Sequence, residues 1–101
     1  MNVTRLYLIR HGETDANKSG VLMGSTDIPL NDTGRQQAAL LRDRINALEV
    51  DSIFASPLTR AVETASVVFG EQVPIITDSS LQEFHFGDWE GMHFSEIAQQ
   101  Y

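Results

Sequence analysis

The first apolar stretch of the chain, Val3 to Ile9, is rich in β-branched and aromatic residues and nearly continuous in hydrophobic character. That pattern predicts a strand buried on both faces, as in a parallel sheet. It stops at Arg10-His11-Gly12. From Gly12 to Asp32, Gly20, Gly24, Pro29 and a scatter of polar side chains interrupt any period, which predicts a loop. A loop of roughly 20 residues is uncommon in a compact domain and is usually functional when present. A helical period then begins. Ala38, Leu41, Ile45 and Leu48 recur at spacings of three and four, predicting a helix over Gly34–Glu49 with Thr33 and Gln36 as its capping box.

Ser52 to Ala55 reads as a second strand. Ser56 is the expected N-cap of the next helix and Pro57 its first residue; Val62, Ala65, Val68 and Phe69 form its apolar side and Gly70 ends it. Val73 to Ile76 is a short third strand, Leu81 to Gly91 a loop, and Phe94 to Tyr101 the opening of a further helix. Strands alternating with helices predict an α/β fold, three-layer αβα, around a mainly parallel sheet with right-handed crossovers. Ligands of such sheets sit at the carboxyl ends of the strands.

Composition narrows the partners. The chain has 101 residues, with 14 acidic against 7 basic side chains and a net charge of −7. Nucleic acid and anionic membrane surfaces both demand a basic face, so neither is expected as a partner. The absence of cysteine excludes disulfides, thiolate catalysis and thiolate metal sites. The apolar run Leu6 to Ile9 is four residues long before Arg10 closes it, short of the roughly 7–15 residues of a signal peptide core or the roughly 20 of a membrane helix. A soluble, cytoplasmic protein is the expectation.

The loops after the three predicted strands carry Arg10-His11-Gly12-Glu13-Thr14, Ser56-Pro57-Leu58-Thr59-Arg60 and Leu81-Gln82-Glu83 running into Phe86-Gly87-Asp88-Trp89-Glu90-Gly91. A parallel sheet brings these loops to one edge. Two arginines, a histidine and a carboxylate in one pocket suit phosphoryl transfer: guanidinium forks for phosphate oxygens, a nitrogen nucleophile and a proton donor. Gly12 permits a close turn that holds one ring nitrogen of His11 against a backbone carbonyl. His85, Asp88, Glu90 and His93 match no defined zinc spacing, so neither a metal nor another cofactor is expected. Phe84, Phe86 and Trp89 are read as packing beneath their loop.

With these motifs in order, the chain resembles the histidine phosphatase superfamily, with its phosphoglycerate-mutase-like fold. The resemblance rests on R-H-G-E-T followed by Asn17, on Gly24, Asp27, Leu30, Gly34, Gln37 and Ala38, on S-P-L-T-R-A-V-E-T-A, and on F-G-D-W-E-G, which is most similar to the alpha-ribazole phosphatase branch. It implies His11 as the phosphohistidine nucleophile, Glu83 as the acid for the leaving group, Arg10 and Arg60 as phosphate ligands, and Asn17 as a polar contact near substrate. The implied substrate is a small phosphate monoester, with alpha-ribazole 5′-phosphate the branch's candidate. The alternatives are a phosphoglycerate mutase-type phosphotransferase, an inactive phosphate-binding module and a partner-binding scaffold. The family pattern also includes a second histidine after a later strand, which nothing here matches. Residues 1–101 are therefore expected to be the N-terminal half of one domain with an incomplete sheet, whose bare apolar edge favours pairing, including a homodimer.

Overall fold

In the computed structural model residues 3–45, 50–70 and 73–100 are described. Two short parallel strands, β1 (Ile53–Ala55) and β2 (Ile75–Thr77), form the sheet, in the register Ile53 with Ile75, Phe54 with Ile76 and Ala55 with Thr77. Asp78 N–H extends the ladder by donating to the Ala55 carbonyl at 2.9 Å. Their crossover is α3 (Thr59–Phe69), which packs on both strands and against α2 (Asp32–Ile45). Ile53 and Ala55 are buried on the face that α3 covers, while Phe54 and Ile76 stand on the open face, 59% and 48% exposed. The α/β class and the parallel sheet follow the expected alternation, and α4 (Phe94–Gln100) closes the described order.

Local chemistry moves several boundaries. The long loop contains a five-residue helix, α1 (Asp15–Ser19), because Thr14 and Asn17 cap it reciprocally. Asn17 N–H donates to Thr14 Oγ1 at 3.2 Å and Thr14 N–H donates to Asn17 Oδ1 at 3.0 Å. Gly20 then ends it at φ 72°, a left-handed turn that suits glycine. Helix α2 begins earlier than the predicted Thr33–Gln36 box: the Asn31 side chain takes the Gly34 N–H at 2.8 Å and so occupies the capping role. Of its predicted apolar face, Ala38 is buried and Leu41 and Ile45 half-buried; Leu48 lies outside the described residues.

Helix α3 starts at Thr59 rather than Pro57, and Ser56 caps only the Leu58 N–H, at 3.2 Å. The first helical amide is capped from outside the segment, since Thr59 N–H and Oγ1–H both donate to the Asp27 carboxylate, at 2.7 and 3.0 Å. Its buried stripe is Arg60, Thr64 and Val68. Val62, Ala65 and Phe69 are only half-buried, so the face turned inward is more polar than the predicted one.

The predicted first strand is the main correction. Residues 3–10 form no strand, and among the described residues their backbone enters no ladder. Val3, Leu6 and Leu8 are 71%, 80% and 88% exposed. A strand exists only where a neighbour takes its N–H and C=O groups, and β1 and β2 are paired with each other. Order returns at Gly12 and Glu13, which dock on the first turn of α2: Asn31 N–H donates to the Glu13 carbonyl at 3.0 Å and Glu13 N–H to Gln37 Oε1 at 2.9 Å. This approach requires two glycines. A Cβ on Gly34 would stand 2.1 Å from the Glu13 carbonyl oxygen, and one on Gly12 would stand 2.5 Å from that of Gly34.

Candidate active site

Because β1 and β2 are parallel, the segments leaving Ala55 and Thr77 emerge at the same edge of the sheet. One leads into Arg60 and the other into Glu83. Arg60 is 3% exposed. Burying a guanidinium demands partners for its donors, and the segment around Gly24 supplies them. Nη1 donates to the Thr26 carbonyl at 2.8 Å and Nη2 donates to the Gly24 carbonyl. Nη2 also lies 3.6 Å from Glu83 Oε2, on a side chain that is half exposed.

The histidine turn is tied to the same helix. His11 Nδ1 lies 2.6 Å from the Gly12 carbonyl, which can only accept, so Nδ1 carries a proton and the lone pair of the neutral ring is the one on Nε2. Gly12 N–H donates to Thr64 Oγ1 at 3.1 Å, and that hydroxyl donates to the Arg60 carbonyl at 2.7 Å. A chain of contacts thus runs from His11 through Gly12 and Thr64 to Arg60 and on to Glu83. Arg10 is exposed and makes no hydrogen bond or ion pair among the described residues. Asn17 is exposed on α1, with its side-chain oxygen engaged on Thr14.

Two polar residues without a predicted role organise the site. Thr64 links the histidine turn to α3; its signal is a hydroxyl one helical turn after Arg60 on the stripe that points inward. Glu90 accepts from Thr26 Oγ1 at 2.6 Å, from Thr26 N–H at 2.9 Å, from Gly24 N–H at 3.0 Å and from Phe86 N–H at 3.2 Å. Burial alone raises its pKa; the Thr26 hydroxyl and the three amides outweigh that and bring it down to about 2. A carboxylate held this way has both oxygens occupied by the Thr26 hydroxyl and three backbone amides. His85 Nδ1 separately accepts the Gly87 N–H at 3.0 Å, and His93 Nδ1 the Ser95 N–H at 3.1 Å.

The segment 20–26 is also anchored by backbone. Phe94 N–H donates to Gly20, Leu22 N–H to Met92 and Gly91 N–H to Leu22, with an antiparallel bridge between Val21 and His93. An open groove of about 390 Å³ lies elsewhere, along Arg35, Pro57, Thr59, Val62, Glu63, Ser66 and Val67. Its lining includes none of His11, Arg60, Thr64 and Glu83, so it is not part of the site. No helix among the described residues is long and apolar enough to cross a membrane.

Fold and site together define an α/β protein with a histidine turn, a buried arginine and a carboxylate at the carboxyl edge of a parallel sheet. The chain belongs to the histidine phosphatase superfamily (branch 1), whose pattern matches residues 6–101. It is 45% identical to a Schizosaccharomyces pombe protein named a probable phosphatase, over 94% of this chain and 46% of that protein. It is 39% identical to the adenosylcobalamin/alpha-ribazole phosphatase of Escherichia coli, over 95% and 48%. Among solved structures it is similar to the phosphoserine phosphatase of Entamoeba histolytica in complex with 3-phosphoglyceric acid, at 39% identity and a TM-score of 0.80, covering 87% of this chain and 44% of that one. The chain spans about half the length of the curated relatives it matches.

Proposed function

We propose that the whole protein hydrolyses a small phosphate monoester through a phosphohistidine on His11, with residues 1–101 forming the N-terminal half of a single domain. The observation that carries this is the His11 ring, held at Nδ1 by the Gly12 carbonyl and tied through Thr64 to buried Arg60. The Nε2 lone pair attacks phosphorus as the ester P–O bond breaks. Arg10 and Arg60 balance the charge on the phosphoryl oxygens, and Glu83 gives its proton to the departing alkoxide. Water then attacks the phosphohistidine. Glu83 takes its proton, the P–N bond breaks, and inorganic phosphate leaves from a regenerated imidazole. Asn17 contacts the substrate from α1. Alpha-ribazole 5′-phosphate is the proposed substrate, supported by the similarity to the Escherichia coli enzyme.

The test uses the full-length protein with alpha-ribazole 5′-phosphate and p-nitrophenyl phosphate. Rapid quench traps an acid-labile, base-stable protein phosphate, and His11→Ala lowers turnover by at least ~10³-fold and abolishes the trapped label. Label that persists in His11→Ala excludes His11 as the nucleophile. Transfer of the phosphoryl group to a second hydroxyl, rather than to water, converts the assignment to a mutase.

A further inference from the structure

Glu90 gathers four donors, and the two residues that supply three of them are the two whose carbonyls hold Arg60. Gly24 and Thr26 give their amides to Glu90 on one side and their carbonyls to the guanidinium on the other. The fourth donor, Phe86 N–H, lies three residues after Glu83 on the segment that brings that carboxylate to Arg60. The two segments are pressed together at Gly24, where a Cβ would stand 1.8 Å from the Phe84 carbonyl oxygen and 2.5 Å from the Phe86 ring. Only a carboxylate satisfies this arrangement. It offers acceptor sites on both oxygens and presents no hydrogen, whereas an amide would turn an NH₂ group toward a donor.

We infer that Glu90 is a positioning residue: by clamping residues 24–26 to the Glu83 segment it aims the Arg60 guanidinium and sets its distance from the proton donor. The inference rests on the proposed phosphate site and deepens it. In this reading Glu90 acts through Arg60, its own oxygens being taken up by the four donors. Its pKa, lowered to about 2, keeps it ionised at neutral pH.

The test is a double-mutant cycle on the full-length protein, read by inorganic phosphate affinity in calorimetry and by kcat and KM on p-nitrophenyl phosphate. Glu90→Gln weakens phosphate binding about tenfold and lowers kcat. Arg60→Ala weakens binding further, and the double variant is no worse than Arg60→Ala, because one residue acts through the other. A residue that only stabilises the loop would shift the unfolding midpoint, leave the folded protein's phosphate affinity intact and add to Arg60→Ala. Unchanged affinity and kcat in folded Glu90→Gln, or additivity in the cycle, overturns the inference. Should Glu90→Gln not fold, Thr26→Val decides: it removes only the 2.6 Å hydroxyl bond and is expected to weaken phosphate binding about threefold; no change overturns the inference. If Arg60→Ala alone leaves phosphate affinity untouched, the phosphate site itself is wrong, a failure visible without any change at position 90.

Discussion

Leu8 is 88% exposed and Arg60 is 3% exposed. The first lies in the chain's opening apolar run and the second on the polar start of a helix, so hydropathy ranks them in reverse. The difference is in partners. Leu8 lies in a backbone segment that no described strand pairs. Arg60 enters a ready-made set of acceptors, the carbonyls of Gly24 and Thr26 and the carboxylate of Glu83. Burial follows what the surrounding structure can satisfy, for a charged group as well as for an apolar one.

The largest expected effect tests the buried side of this contrast. Arg60→Met keeps the length but removes every donor, leaving two inward carbonyls unpaired, and is expected to destabilise the chain by about 3–5 kcal/mol. Urea unfolding with an unchanged slope measures it; a loss within experimental error would mean the carbonyls are satisfied otherwise. Gly34→Ala comes next. In an exposed helix this change adds about 1 kcal/mol of stability. Here the new Cβ meets the Glu13 carbonyl oxygen at 2.1 Å, so a net loss of about 1–3 kcal/mol is expected, and a higher unfolding midpoint would show that the histidine turn yields freely.

Thr64→Val removes the link between Gly12 N–H and the Arg60 carbonyl and should cost about 1–2 kcal/mol, recovered by Thr64→Ser. For Glu90 the folded pKa of about 2 lies below the ordinary 4.5, so its contribution is complete above about pH 4.5 and is lost as pH falls through about 2. Acid titration of stability should therefore be shallower in Glu90→Gln over that range; identical curves would remove Glu90 from the acid limb. The smallest effect lies on the exposed side. Leu8→Ser in the 101-residue chain should change stability by less than about 0.5 kcal/mol, and a loss above about 2 kcal/mol would show that Leu8 is buried and the contrast unfounded.

Much of the site was legible because its residues sit at the ends of elements that local pattern reveals. The Ile53–Ala55 strand, the helix ended by Gly70 and the strand near Ile75 were readable from periodicity and punctuation, and parallel pairing then carries Arg60 and Glu83 to one edge. The Gly12 turn that holds the His11 ring was readable for the same reason. Asp27 capping α3 across 32 residues, and Asn31 displacing Thr33, were not. A helix end accepts any suitable oxygen that reaches it, and only the folded chain decides which one arrives first. Thr64 and Glu90 escaped for a related cause, since their value lies in backbone donors and acceptors that belong to distant segments.

By itself, then, the sequence revealed most of the alternating elements and the family resemblance, and it offered one histidine, two arginines and one glutamate as candidates for a shared site, because these depend on side-chain type and short-range spacing. The tertiary structure alone decided which polar groups could be buried, where each helix begins, and that residues 3–9 meet no partner strand among the described residues. Those outcomes are settled by whether a complementary hydrogen-bonding surface lies alongside, and no local pattern specifies its own neighbour.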